Sequence, residues 1–475
     1  MLNWIMNPVD TLVKSMTSNR YPDNPYNVVT AITKLQPKNM VEACIRAATG
    51  TTVDRPLGSP NVQSPWEKVF LNPRQLFQLP PTDVQTIETR TVIGKRARRP
   101  LTLDIPIMVT GMSYGGSLAL PIKRALARGA AMAGTSTNTG ESAVTNEERD
   151  EAKFLVGQYH RGGWLNTPDQ LERVDAIEIQ LGQGAWGGAV PSGVEAKWMD
   201  EHLRAAWHVS EGEDATIEAR LKEVQSPADL AKLVKRLRSD YPVPVGIKIA
   251  GTHWLERELA VVADTEADYI VIDGSEGGTA NSMCTLQDDV GLPTLFCIAR
   301  ASSWLEDNGL RDDIDVILAG GLRTPGEFLK AMALGADAVY IGSIALTAAL
   351  ADQITKALPD EMIAQLEIYN GRLTDQIDIE TSARNLARFL ISCTAEMKHA
   401  TLAVGKESVH QLGREDLCCV DYHLAEALRV GWAGVPASES RERTQRAHRH
   451  RSAVRQPLER AGADVHLQSD TAPIH

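Results

Sequence analysis

Residues 315–343 read DVILAGGLRTPGEFLKAMALGADAVYIGS. An apolar run, DVILAGG (315–321), ends in two glycines; Thr324-Pro325 opens a stretch with helical spacing that stops at Gly335; a second run, AVYIGS (338–343), ends in Gly-Ser. Both runs are continuous rather than alternating, which marks strands buried on both faces, as in a parallel sheet covered by helices. Strand, helix, strand is the unit. The apolar stretch 331–350 is long enough to suggest a bilayer span, but Asp337, two glycines and the change of period at Ala338 favour helix, turn, strand and helix.

Similar runs recur upstream: IPIMVTG (105–111), GTSTNTG (134–140), DAIEIQLG (175–182), VPVGIKIAG (243–251) and DYIVIDG (268–274). Helical patterns at 118–133, 227–238, 254–264 and 325–335 lie between them. With a weak further run near 205–209, the set predicts a (β/α)8 TIM barrel rather than an open doubly wound sheet. No G-x-G-x-x-G follows the first run, which counts against a Rossmann domain.

The 475 residues exceed one barrel, so extensions are required. Residues 1–100, rich in Pro and Asn with helical pieces at 27–34 and 39–48, read as an N-terminal extension packed on a barrel spanning 101–360. A C-terminal helical region, 361–435, has helices at 380–396 and 399–404. Residues 436–475 carry seven Arg against five acids and few large apolar side chains, so they read as a disordered tail.

The net charge of −12 argues against nucleic acid or an anionic membrane as partner. Six cysteines, at 44, 284, 297, 393, 418 and 419, form no CxxC and spell out no metal or iron–sulfur site; Cys284 reads as a small buried thiol. The first residues lack the h-region of a signal peptide, so a cytoplasmic protein is expected, and a homo-oligomer.

Chemistry in a parallel barrel sits at the C-terminal strand ends, with phosphate after the last two strands. There stand Gly320, Gly321 and Arg323, then Gly342 and Ser343. Glycines admit close N–H approach and Arg323 adds a charged fork, although barrel turns use glycine in any case. Asp273-Gly274-Ser275-Glu276-Gly277-Gly278-Thr279 would give a flat backbone-lined surface for a ring or phosphate. Lys248 is the one charge in GIKIA; it suits either a developing negative charge on a bound ring or a salt bridge with Asp273.

The run Thr135–Glu141, with Asn138 and Thr139, is polar enough that it must meet water or hold a ligand. Gln158, His160 and Arg161 add amide, imidazole and guanidinium groups, and Gln180, Gln183 and Trp186 follow the DAIEIQLG run. A lone loop histidine such as His160 is more often a surface residue than a proton donor.

Eight blocks, GMSYGG (111–116), GTSTNTGES (134–142), DAIEIQLGQGA (175–185), VGIKIAG (245–251), DGSEGGTANSM (273–283), VGLPTL (290–295), the stretch 319–343 and VGKESVHQL (404–412), occur in an order that resembles the FMN-binding barrel of the glutamate synthase family. The chain is most similar to the branch of the N-methylglutamate synthase large subunit, because 383–435 also fits it. The resemblance implies FMN against Met112 and Ser113, its ring near Gln180 and Lys248, and its phosphate among Gly277, Gly278, Gly320, Gly321, Arg323, Gly342 and Ser343, with Ser275, Glu276 and Thr279 in the same cofactor loop. Glu141 and Gln183 then line the substrate side and, with Lys248, are the catalytic candidates; Asn138, Thr139, Gln158, His160, Arg161 and Trp186 are the substrate candidates.

The chain departs from that family in three respects. Trp186 stands where QGAKPG has lysine, and Gln180 where glutamate synthases have lysine, so 2-oxoglutarate should bind poorly unless Arg161 or His160 compensates. Residues 346–360 contain no cysteine, so no iron–sulfur cluster is expected. No N-terminal nucleophilic cysteine or amidotransferase domain is seen. The expected activity is FMN-dependent amine or imine chemistry on a small amino-acid-like substrate. The alternatives are a glutamate or N-methylglutamate synthase subunit, with amidotransferase and electron-donor subunits on separate chains, and a non-catalytic scaffold or regulatory subunit that keeps the pocket.

Overall fold

The computed structural model describes residues 3–55, 57–278 and 282–439, so Thr279 and the tail from 440 onward lie outside the described residues. The chain divides into two compact units, Met1–Arg55 and Pro56–His475. The first holds helices Asn3–Ser18, Tyr26–Leu35 and Pro37–Thr49, the last two where the pattern predicts them.

In the second unit eight parallel strands form a nearly closed barrel. They are β1 (Ile107–Val109), β2 (Ser136–Asn138), β3 (Phe154–Tyr159), β4 (Ala176–Gln180), β5 (Val245–Ala250), β6 (Tyr269–Asp273), β7 (Asp315–Ala319) and β8 (Ala338–Ile341). Neighbours follow chain order, and β8 pairs with β1. Between β1 and β2 the seam is held by Asp104 N–H to the Gly134 carbonyl (2.9 Å) and Thr135 Oγ1 to the Ile107 carbonyl (2.7 Å). The (β/α)8 expectation therefore stands, with two corrections to its strands. Residues 205–209 are not a strand. They fall in and just after helix Glu201–Trp207, which Asp200 caps by accepting the Leu203 N–H and which buries Leu203 and Trp207 at i,i+4 spacing. The strand that fills the gap is β3, whose short run is interrupted by Gly157 and Gln158.

Inward side chains alternate along the strands, as a barrel requires. Met108, Tyr269, Val271, Ile317 and Tyr340 form an inner cluster with Ile93, Leu101 and Leu103. These last three come from an antiparallel hairpin, Thr91–Ile93 with Leu101–Leu103, that plugs the N-terminal end of the barrel. Gly94 N–H donates to Asp315 Oδ2 at the start of β7 (2.7 Å), which pins the plug. The opposite end stays open.

The helices that position the site are α1 (Leu120–Met132), α2 (Thr294–Asp307), α3 (Pro325–Ala333) and α4 (Ser343–Ala349), followed by the short α5 (Ala364–Glu367) and α6 (Ile379–Ala403). The two predicted C-terminal helices are one: α6 runs unbroken for 25 residues. It crosses α1 so closely that a Cβ on Gly129 would lie 2.8 Å from the Ala383 carbonyl oxygen. The chain then returns to the segment preceding the barrel, where Leu417–Cys419 pairs antiparallel with Val69–Leu71. Among the described residues, no helix is long and apolar enough to cross a membrane.

Candidate active site

The C-terminal strand ends surround a cavity of ≈ 330 Å³, and all eight strands contribute to its wall. Met112 and Ser113 follow β1, Glu141 follows β2, Gln158 lies on β3, Gln183 and Trp186 follow β4, and Lys248 lies on β5. Glu276, Gly277 and Gly278 follow β6, Gly320, Gly321 and Arg323 follow β7, and Gly342 and Ser343 follow β8. Most of the residues singled out from the sequence thus meet in one wall, although separated by up to some 230 positions.

One side of this wall is built of backbone. Gly320 and Gly321 have φ of 115° and 68°, which only glycine adopts without strain. A Cβ on Gly320 would also sit 2.5 Å from Thr294 Oγ1, which donates to the Gly320 carbonyl. Among the described residues, the backbone N–H groups of Gly321, Leu322, Gly342 and Ser343 have no hydrogen-bond partner. Two turns of free donors facing one cavity suit a phosphate. Arg323 stands at the rim, 58% exposed and paired with Glu327 (3.3 Å), whose carboxylate also closes the capping box of α3 with Thr324.

Glu276 reaches the wall, but its carboxylate is spent as a brace. It accepts from Ser64 N–H (2.6 Å), Ser64 Oγ (2.8 Å) and Thr294 N–H (2.8 Å), tying the segment before the barrel to the loop after β6. Ser275 turns away from the cavity to bond Gln63.

Lys248 Nζ lies 3.3 Å from Asp273 Oδ2, and the lysine is essentially buried. Burial disfavours its charge, but Asp273 first, then Glu178 and Glu141, hold it above the usual lysine range, so it remains a cation. The salt bridge with Asp273 is thus present, and Lys248 also lines the cavity. Beside it in register on β4, Gln180 is buried with neither its amide oxygen nor its amide nitrogen bonded. An amide left with both ends unmet costs ~1–3 kcal/mol for each buried group unless a ligand meets it.

The polar run on β2 neither meets water nor faces the cavity. Asn138 donates to Glu178 (3.4 Å) and to Tyr340 Oη (3.2 Å), and its carbonyl accepts Lys123 Nζ (2.8 Å). Thr139 Oγ1 accepts the Gln158 N–H (3.0 Å). Glu178 collects Gln158 Nε2 (2.6 Å) and Tyr340 Oη (2.9 Å), so a polar network of barrel side chains forms the cavity floor.

His160 is not a surface residue. It is fully buried, and burial, then Arg161, pushes its pKa down to about 3, so the ring is neutral. Its Nδ1 accepts the Gly162 N–H (3.2 Å), which leaves the proton on Nε2, where it has no partner. The ring packs on Trp164, which stacks on Trp207 at 3.7 Å. Arg161 is buried too, paired with Glu141 at 3.0 Å and bonded to the Val190 carbonyl. Neither residue lines the cavity, and Arg161 is already spent on Glu141.

One wall residue carried no signal in the sequence. Glu367, at the end of α5, lines the cavity, and its carboxyl has no hydrogen-bond or ionic partner among the described residues. Burial alone pushes its pKa up to about 7. Among the described residues, no cluster of His, Cys, Asp and Glu is arranged to hold a metal ion.

Residues 61–407 match the conserved region in glutamate synthase. The chain is 35% identical over 371 residues to a glutamate synthase large subunit-like protein of Rhizobium meliloti, covering 73% of this chain and 82% of that one. It is 30% identical over 421 residues to an archaeal-type glutamate synthase (NADPH) of Thermotoga neapolitana, covering 83% and 82%. The fold is similar to the flavin-binding domain of baker's yeast flavocytochrome b2, with a TM-score of 0.50 at 17% identity, covering 80% of this chain and 83% of that domain.

Proposed function

The chain belongs to the glutamate synthase family, and on that premise we propose that it is an FMN-dependent oxidoreductase acting on a small amino-acid-like amine or imine. The observation that carries this reading is the pairing, in one cavity, of unbonded N–H groups at Gly321, Leu322, Gly342 and Ser343 with a buried lysine, Lys248; the unmet amide of Gln180 lies buried behind the wall, next to Lys248 on the adjacent strand. The N–H groups fit a phosphate monoester, with Arg323 swinging from Glu327 to close it. Gln180 fits the hydrogen-bonding edge of a flavin ring, and Lys248 fits the side where a reduced ring holds negative charge. When bound, FMN supplies hydride transfer to or from carbon next to nitrogen.

The chain's own residues do the rest. Lys248 offers a fixed positive charge, Met112 and Ser113 border the cavity from the loop after β1, and Gln183 presents an amide at the wall. Trp186 lines the cavity, at the position where the resemblance to QGAKPG implies a lysine, so the reading favours a substrate other than 2-oxoglutarate. A second reading is a subunit of the N-methylglutamate synthase type, homo-oligomeric and cytoplasmic, whose amidotransferase and electron-donor functions reside on separate chains. The similarity at 30–35% identity to an archaeal-type glutamate synthase and a large subunit-like protein supports a glutamate synthase subunit, the coarser part of this reading.

Absorption spectra of the purified chain test the first reading. A yellow protein whose flavin is lost on dialysis of an Arg323→Ala variant is expected. A colourless protein that also fails to take up added FMN overturns it.

A further inference from the structure

The charged groups of the cavity wall are nearly all committed. Glu141 is bonded to Arg161, Asp273 to Lys248, and Glu276 to two backbone N–H groups and a hydroxyl. Arg323 lies at the rim with the phosphate-binding turns, paired to Glu327. Glu367 alone among the described wall residues is an acid with no partner. Among the described wall residues no cation stands free to balance it; Leu118 and Ile368 beside it are apolar, as are Ile344 and Leu346 of the same cavity wall.

Glu367 is also held in place. Its carbonyl accepts the Ala119 N–H (2.8 Å), Tyr369 N–H donates to the Ser117 carbonyl (2.9 Å), and Leu118 and Ile368 form an antiparallel bridge. These bonds fasten the turn at α5 to the loop after β1, the loop that carries Met112 and Ser113. A half-buried carboxyl fixed at a cavity wall with no internal partner is stabilised only by what enters the cavity.

We infer that this cavity takes a substrate bearing a protonated nitrogen on an apolar or aromatic body, and that Glu367 is the residue that receives the nitrogen. The inference rests on the FMN reading for its chemistry but not for its charge complementarity. A dicarboxylate such as 2-oxoglutarate meets no uncommitted cation away from the phosphate turns and one unpaired carboxyl of its own sign. An amine or iminium meets its counter-charge and a wall for its hydrocarbon. Glu367 thus acts as a specificity-determining residue.

The test uses the full chain loaded with FMN, titrated at about pH 8, where the carboxylate is ionised. Benzylamine, its neutral counterpart benzyl alcohol, and 2-oxoglutarate are the probes. Quenching of tryptophan fluorescence, to which Trp186 contributes, reports binding, and flavin absorbance independently reports cofactor content. Benzylamine is expected to bind tighter than either other probe. In a Glu367→Gln variant, which keeps the volume, that preference should fall by about ten-fold or more with FMN content unchanged. Benzylamine failing to bind, binding no better than benzyl alcohol, binding more weakly than 2-oxoglutarate, or binding equally in the variant overturns the inference. Failure to take up FMN overturns the cofactor reading instead, while the fluorescence titration still decides the charge preference.

Discussion

Arg161 Nη2 lies 3.0 Å from Glu141 Oε1, and both side chains are buried, the guanidinium almost completely. Each is compensated chiefly by the other, and Arg161 adds only the Val190 carbonyl. Removing one partner leaves a buried charge alone. Glu141→Gln is expected to cost about 3–5 kcal/mol of folding stability, and Arg161→Met a similar amount, with the double variant recovering part of the loss. Chemical denaturation of the two single variants and the double variant measures this. Strictly additive losses would show the pair to be uncoupled.

The contact of Lys248 with Asp273 separates a structural from an electrostatic role. Lys248→Met leaves Asp273 buried and unpaired, so it should destabilise the fold by about 3 kcal/mol. It should also lower the midpoint potential of bound flavin: a charge worth ~4 kcal/mol at 4 Å corresponds to a shift on the order of 80 mV for a two-electron couple. Asp273→Asn alone keeps the lysine charge and removes a negative one, so it should raise the potential, the opposite of Lys248→Met, although both variants break the same pair. Redox titration and denaturation of the two single variants separate the effects; potentials that move the same way in both would assign the effect to structure.

The sequence made most of the barrel legible because its strands are continuous apolar runs with glycine endings, and such runs are set locally. The third strand escaped because Gly157 and Gln158 break its apolar character; Gln158 is there to hold Glu178 in the barrel interior, a partner 20 residues away. Residues 205–209 resembled a strand because too few turns were available to separate the two periods. Backbone-lined parts of the site were legible as glycines. Charge pairing was legible only for Lys248 with Asp273, on adjacent strands; whether Arg161 is free or spent on Glu141 depends on two loops meeting in space. Glu367 was invisible for the same reason, since AQLEIYNG carries no motif and its place at the wall comes from the bonds of Glu367 and Tyr369 to the loop after β1.

Trp186 sits in the cavity wall where a cation would serve a carboxylate substrate. Trp186→Lys is expected to tighten 2-oxoglutarate binding by about ten-fold, the worth of one charge-assisted hydrogen bond. The combination with Glu367→Gln should tighten it further, since it also removes a like charge. Titration of 2-oxoglutarate followed by flavin absorbance is the measurement. Unchanged affinity in the single variant would remove Trp186 as the reason for rejecting the dicarboxylate.

Glu367 should reveal itself in stability as a function of pH. Its folded pKa, about 7, lies above the ordinary 4.5 because burial penalises the carboxylate. The native state therefore holds a proton that the unfolded chain has released between those two values. Stability falls as pH rises through that window and levels off above about 7, with a total cost of ~3 kcal/mol from a shift of about 2.5 units at ~1.4 kcal/mol each. Glutamine keeps the shape and cannot ionise. The Glu367→Gln variant is expected to match the wild type near pH 5 and to be more stable by ~3 kcal/mol near pH 8. Urea denaturation at the two pH values measures the difference. Equal stability at both would mean that the carboxylate finds a partner in the folded protein, whereas a gain confined to high pH, erased by a bound amine, is the behaviour of a charge held unpaired for a ligand.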